Sequence, residues 1–162
     1  MSALAPQRTI HLASDHAGFA LKEACQKFLE AKQYKVVDHG ATTFSAEDDF
    51  PDYISLAAFA VSSSPEASCA IIFGGSGQGE AMLANRYPNV RATVYYGGDT
   101  EIISLSRQHN DANVLSLGAR FLAENEAFAV IEKWLTTEVE SIEKYGRRNR
   151  KIEAISRKIR TA

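Results

Sequence analysis

The chain has 162 residues, of which 45% are hydrophobic, the composition of a globular protein large enough for a real core. No apolar run approaches the ~20 residues that cross a bilayer, which argues against a helical membrane protein. The net charge is only −2, yet Lys144 to Arg160 holds eight basic residues and one acid, so a segment of +7 is attached to a remainder of −9.

That asymmetry sets the basic segment to meet an anion. The two cysteines, Cys25 and Cys69, have no paired spacing. Free thiols in a reducing compartment are the default reading, and cytoplasm is the expected location. Residues 1–8 lack the basic start and apolar centre of a signal peptide and read as a short flexible arm. The whole chain, 1–162, is expected to form one domain.

In chain order, Thr9 to Ala13 is a strand candidate closed by Ser14-Asp15-His16-Ala17-Gly18. Ala20, Leu21, Ala24, Cys25, Phe28 and Leu29 then repeat at helical spacing. Tyr34 to Asp38 is a second strand, ended by His39-Gly40. A polar loop with the acidic cluster Glu47-Asp48-Asp49 leads to a helix over about Asp52 to Ser62, broken by Ser63-Ser64-Pro65. Cys69 to Phe73 is apolar throughout, as in a strand covered on both faces. Gly74-Gly75-Ser76-Gly77-Gln78-Gly79-Glu80 follows and opens a third helix. Val90 to Tyr95 is a fourth strand, Thr100 to Arg107 a helix, and Val114 to Leu117 a fifth strand. A long helix is expected from about Asn125 to Glu143, with Phe128, Ile131, Leu135, Val139 and Ile142 on one stripe, ended by Gly146. A basic helix from about Arg148 carries Ile152, Ile155 and Ile159 on one face. Strands alternating with helices predict a Rossmann-like three-layer α/β/α sandwich with a five-stranded parallel sheet and a C-terminal basic helix.

The glycine loop carries the strongest chemistry. Four glycines in six positions exceed what a packing turn requires, and they let backbone N–H groups approach an anion. Glutamate stands where a dinucleotide fingerprint needs its last glycine, and no G-K-[ST] follows, so neither nucleotide motif fits. Glu80 instead places a carboxylate beside the anion loop. Asp15-His16 is either a tuned histidine or a helix cap. His109-Asn110 is either an acid–base group with its neighbour or a turn. Arg147-Arg148-Asn149-Arg150-Lys151 can place basic groups four residues apart on one helical face, which is either suited to phosphate oxygens or simply solvated. The lone basic helix, without aromatic interleaving, is a poor footprint for nucleic acid. His11 reads as a strand residue, His39 as a surface turn residue and Cys25 as core. Neither His11 nor His39 has a partner at metal-ligand spacing.

Ser14-Asp15-His16-Ala17-Gly18-Phe19, Asp49-Phe50-Pro51-Asp52-Tyr53, the loop Gly74 to Glu80, Ala84-Asn85-Arg86, Ser106 to Asn113, Gly118-Ala119-Arg120 and Arg147…Glu153-Ala154-Ile155 occur in one order. In that order they resemble the type B ribose-5-phosphate isomerases and the related galactose-6-phosphate isomerase subunits. The resemblance implies an aldose–ketose isomerase of a sugar phosphate, without metal or organic cofactor. It also implies a homodimer, or a dimer of dimers, with sites shared between subunits. It assigns the proton-moving base to Glu80 and enediolate stabilisation to Gly75, Ser76, Gly77 and Gly79. His109 corresponds to the residue that opens the sugar ring, and Asn110 to a neighbouring contact donated across the dimer. Asp15 matches a sugar contact, and His16, Arg120, Arg147 and Lys151 match phosphate contacts. One branch of the family uses a cysteine base at the position of Gly74, so this chain falls in the glutamate branch. Phe50 stands where a tyrosine is usual, and Lys151 where an arginine is expected. Those two departures leave room for a hexose 6-phosphate substrate, or for a non-catalytic module that senses a phosphorylated metabolite on the same fold.

Overall fold

The structure, a computed structural model, describes residues 8–161. Most of the expected flexible arm therefore lies outside the described residues. Its last residue, Arg8, donates to the Pro65 carbonyl at 3.1 Å.

Five strands form one sheet: β1 (Thr9–Ser14), β2 (Val36–Asp38), β3 (Ser68–Gly74), β4 (Ala92–Tyr95) and β5 (Val114–Gly118). All pairings are parallel, and the spatial order is β2-β1-β3-β5-β4. Leu12 lies opposite Ile71, and Ile71 opposite Leu115. β3 is buried along its whole length, because helices cover both faces of the central strand.

On one face lie α1 (Phe19–Ala31), α4 (Glu101–Gln108) and α5 (Glu124–Thr136). Their core joins Leu12, Ile71, Phe73 and Leu117 to Leu21, Leu29, Ile103, Ile131 and Trp134, with Cys25 and Cys69 inside it. On the other face lie α2 (Phe50–Ser63) and α3 (Gln78–Ala84), which close over Ala13, Ile72 and Val114 through Ile54, Ala57 and Val61. Pro51 in the first turn of α2 suits the fixed φ that a helix start requires.

The expected long helix is two helices. α5 stops at Thr136, where the hydroxyls of Thr136 and Thr137 accompany its last turn by donating to carbonyls of Glu132 and Lys133. Residues 137–142 form a connector, pinned by the Glu140 N–H on the Gln108 carbonyl at 3.1 Å. Val139 and Ile142 therefore leave the stripe. Gly146, expected as a stop, lies inside α6 (Glu143–Thr161), because its N–H still reaches the Ile142 carbonyl and the Arg–Glu pairs of the first turns support the helix. α6 belongs to neither layer. No residue of it is buried, and Ile152, Ile155 and Ile159 are exposed. It is held along the start of β4 by Glu153, which accepts from the Asn89 N–H at 3.2 Å and pairs with Arg91.

Connections from β1 to β2 and from β2 to β3 leave in opposite directions, so a crevice opens beyond the carboxyl ends of β1 and β3. Both the Asp15-His16 turn and the glycine loop begin there.

Candidate active site

β3 ends at Gly74, and the chain turns through Gly77 in the left-handed region (φ +77°) to open α3. Only a residue without Cβ takes that conformation cheaply. The buried Ser116 hydroxyl pins the turn by donating to the Gly77 carbonyl at 2.6 Å. The end of β5 ties it from the other side. The N–H groups of Ala119 and Arg120 donate to the Gly74 and Gly75 carbonyls at 2.8 and 3.1 Å. Among the described residues, the N–H groups of Ser76, Gly77 and Gly79 have no protein acceptor. They form a rigid cluster of donors on which negative charge can develop. The Arg120 guanidinium packs over Gly75 and brings a full positive charge to the rim.

Glu80 sits in the first turn of α3 and is buried. Its carboxylate lies over the Cα of Gly74, so that a Cβ added there would run into it. The space in which a side chain at 74 would start is thus filled by the Glu80 carboxylate. Burial raises the Glu80 carboxyl above the usual glutamate value, its own backbone N–H works against the rise, and the charge of Asp15 adds to it. A carboxylate in a desolvated niche is a stronger base than one in water. Phe50 packs against Gly79, so the pocket wall beside the loop is an aromatic face without a hydroxyl.

Asp15 follows β1 and is buried. It does not cap α1, whose N-cap is Gly18. Its Oδ1 accepts instead from the N–H groups of Ala17 and Gly18 at 3.0 and 3.4 Å, an Asx-type turn that holds the carboxylate at the crevice. His16 is clamped by Asp48. The Asp48 Oδ1 accepts from the His16 N–H at 2.9 Å and lies 2.7 Å from its Nδ1. That hydrogen bond, helped by Asp15, raises the His16 imidazole above its usual value. Asp15, His16 and Asp48 each offer one ligand atom within 4.8 Å of one another, the geometry of a cation site. The Asp48 Oδ1 in that cluster is already engaged by both the His16 N–H and Nδ1, which ties the three side chains together without an ion.

The structure brings Asp15, His16, Gly75, Ser76, Gly77, Gly79, Glu80 and Arg120 to one rim. It does not bring the other four expected site residues to them. His109 caps the C-terminus of α4 and precedes β5, so it stands at the amino ends of the strands. Its ring stacks on Tyr145 at 4.1 Å between centroids. Asn110 lines a groove there with Arg91, Asn149 and Ile152. Arg147 pairs with Glu143 at 3.0 Å on α6, and Lys151 is exposed one turn further on. At ~3.3 Å per residue, the seven residues of β3 hold the two rims about 20 Å apart. His109 and Glu80 of one chain cannot meet on one small molecule.

Two features were not legible in the sequence. Asp48 carried no signal beyond its place in an acidic cluster. His39 is half-buried rather than a surface turn residue, and its Nε2 lies 2.9 Å from Nδ1 of His11.

A parallel α/β sheet with a desolvated carboxylate beside a cluster of loop amides at its switch point has the parts to move a proton next to a developing oxyanion. The sequence pattern of the Ribose/Galactose Isomerase family matches residues 10–155. The chain belongs to that family, and it is an isomerase. Among its relatives, ribose-5-phosphate isomerase B of Escherichia coli K12 is 34% identical over 149 residues, 92% of this chain and 95% of that one. Ribose-5-phosphate isomerase B of Mycolicibacterium paratuberculosis is 34% identical over 139 residues, 86% of each chain. The crystal structure of ribose-5-phosphate isomerase B from Mycoplasma genitalium with bound ribulose-5-phosphate superposes with a TM-score of 0.89 at 33% identity, over 94% of this chain and 99% of that one.

Proposed function

We propose that this protein interconverts ribose 5-phosphate and ribulose 5-phosphate by moving a proton between C1 and C2 through an enediolate. The observation that carries the reading is the buried Glu80 carboxylate lying on Gly74, beside the unpaired amides of the loop. Glu80 takes the proton from the carbon next to the carbonyl and returns it to the neighbouring carbon. The N–H groups of Ser76, Gly77 and Gly79 receive the charge that builds on the oxygen. Gly75 keeps the loop low under Arg120. Asp15 holds a sugar hydroxyl. His16 and Arg120 take part in binding the phosphate, whose remote grip positions the reacting carbons.

His109, Asn110, Arg147 and Lys151 serve the same reaction from a second copy of the chain. His109 opens the sugar ring, and Arg147 and Lys151 grip the phosphate. The distance between the two rims supports a homodimer, or a dimer of such dimers, in which each site takes half its residues from each subunit. The exposed isoleucines of α6, next to the basic residues, are the surface such a partner would cover. A single domain over 1–162 and a cytoplasmic location complete the reading. The phenylalanine wall at Phe50 favours one second reading, the same isomerisation of a hexose 6-phosphate, because a lost hydroxyl changes which sugar the pocket accepts.

Replacing Glu80 with Gln keeps the shape and removes the base. In a coupled assay over a panel of aldose phosphates, kcat on the preferred substrate should fall at least about a thousandfold while sugar-phosphate binding persists. Near-normal turnover by Glu80→Gln overturns the mechanism. Tight binding by the unmodified protein without turnover of any pentose or hexose phosphate would instead identify a sensing module.

A further inference from the structure

His16 is held from several sides. Asp48 comes from the loop before α2 and engages both the backbone N–H and Nδ1 of His16 through one oxygen, at 2.9 and 2.7 Å. The Asp48 side chain is 7% exposed although the loop around it is open to solvent. A carboxylate is buried only where its hydrogen bonds hold it. Its other oxygen, Oδ2, is also buried and has no partner among the described residues. Asp15, from the β1–α1 turn, lies with Oδ2 at 3.9 Å from the same Nδ1. Phe44 stands edge-on to the imidazole, with centroids 6.5 Å apart, and is itself braced edge-on by Phe19 of α1. The groups with charge that face His16 are therefore Asp48 and Asp15, Phe44 stands beside the ring, and the remaining edge is open to solvent, with the side chain 30% exposed.

From this geometry we infer that Asp48 is a positioning residue, which fixes His16 with Nδ1 as a donor to Asp48 and leaves Nε2–H free to donate to the anionic group of the substrate. The inference rests on the reading that His16 serves phosphate binding. Asp48 lies outside the Asp49-Phe50-Pro51-Asp52-Tyr53 motif and touches no reacting atom. Its effect runs entirely through the tautomer and charge of His16. One acid thus does two things. It locks the ring orientation through two hydrogen bonds from one residue, and it keeps the imidazole charged over a pH range where a free histidine would lose its proton. Because Asp48 makes the short contact with Nδ1 and Asp15 stands 3.9 Å away, the carboxylate of Asp15 is left to meet sugar hydroxyls.

The test compares Asp48→Asn, Asp48→Glu and His16→Gln, each alone, with the Asp48→Asn/His16→Gln pair. In the intact protein, the imidazole titration of His16 is followed by NMR with no substrate present. Asp48→Asn should move that titration to lower pH, and Asp48→Glu should restore most of it. With sugar phosphate, KM at pH 7.5 should rise about tenfold in Asp48→Asn, while kcat falls far less. KM should also begin to climb at lower pH than in the parent. In the His16→Gln background, Asp48→Asn should add little, because both changes remove the same interaction. An unchanged His16 titration in a folded Asp48→Asn protein overturns the inference, and so does a full additive effect in the double variant. A shifted titration with no change in KM shows that the clamp exists but that His16 does not bind the substrate. That outcome refutes the phosphate role and is separate from failure of the clamp.

Discussion

Gly74→Ala tests the site at its tightest point. The added methyl occupies the space now filled by the Glu80 carboxylate. To regain an ordinary carbon–oxygen separation, the carboxylate must withdraw by about 1.5 Å. The atoms in conflict are the far end of a flexible side chain, and the φ of Gly74 is not in the left-handed region. The fold therefore loses little, about 1 kcal/mol or less. Catalysis loses far more. A misplacement of about 1 Å costs about a hundredfold, so kcat should fall by about 10² to 10³, or about 3 to 4 kcal/mol in the barrier. Thermal unfolding and a coupled isomerase assay on the same sample separate the two effects. Gly74→Cys combined with Glu80→Ala puts a thiol where the carboxylate stood, and should recover part of the loss with its acid limb at higher pH, since a thiol ionises later than a carboxyl. Retention of near-full kcat by folded Gly74→Ala would refute the placement of Glu80 as the base.

Three further outcomes follow from the same structure. The acid limb of kcat/KM should lie above the ordinary glutamate value, because burial and Asp15 both disfavour ionised Glu80, and Asp15→Asn should move that limb downward in a pH–rate series. His11 is buried and hydrogen-bonded to His39, and burial, followed by the charges of His39 and Lys35, lowers its imidazole to about 4. Between its unfolded value of 6.5 and about 4, only the unfolded chain gains the proton, so stability should fall as pH falls through that window. The loss reaches about 2 to 3 kcal/mol by pH 4 and should shrink in a His11→Gln variant, measured by denaturant unfolding. Ile155→Asp on the exposed face of α6 should leave the chain folded but shift it to monomer in sedimentation, with activity lost in step with the dimer. A dimer of unchanged stability and full activity would rule that face out as the interface.

The sheet was legible because its central strands, β1, β3 and β5, are buried almost throughout and read as short apolar runs. The glycine loop was legible because a φ of +77° at Gly77 and the close approach of Glu80 to Gly74 both demand residues without side chains. Helix periodicity is a local signal, and it carried on past Thr136 because Val139 and Ile142 happen to keep the register. What ends α5 is the connector, whose Glu140 N–H bonds to Gln108, a contact 32 positions away along the chain. The same limit explains Asp48 and the His11–His39 pair, whose meaning lies in partners 32 and 28 positions away. Motif order placed His109 among the site residues, but motif order contains no information on which end of a strand a residue occupies. That came only from the strand directions.

The separation of the two rims by the length of β3 has a genetic consequence. If each dimer holds two composite sites, a chain lacking Glu80 function and a chain lacking His109 function are each inactive alone. Mixed and allowed to exchange subunits, they form heterodimers in which one site gathers both lesions and the other gathers none. Random pairing makes half of the dimers mixed, so about a quarter of the sites return to full competence. In such a dimer two inactive chains would restore activity between them, and one damaged chain in excess would draw sound subunits into impaired dimers.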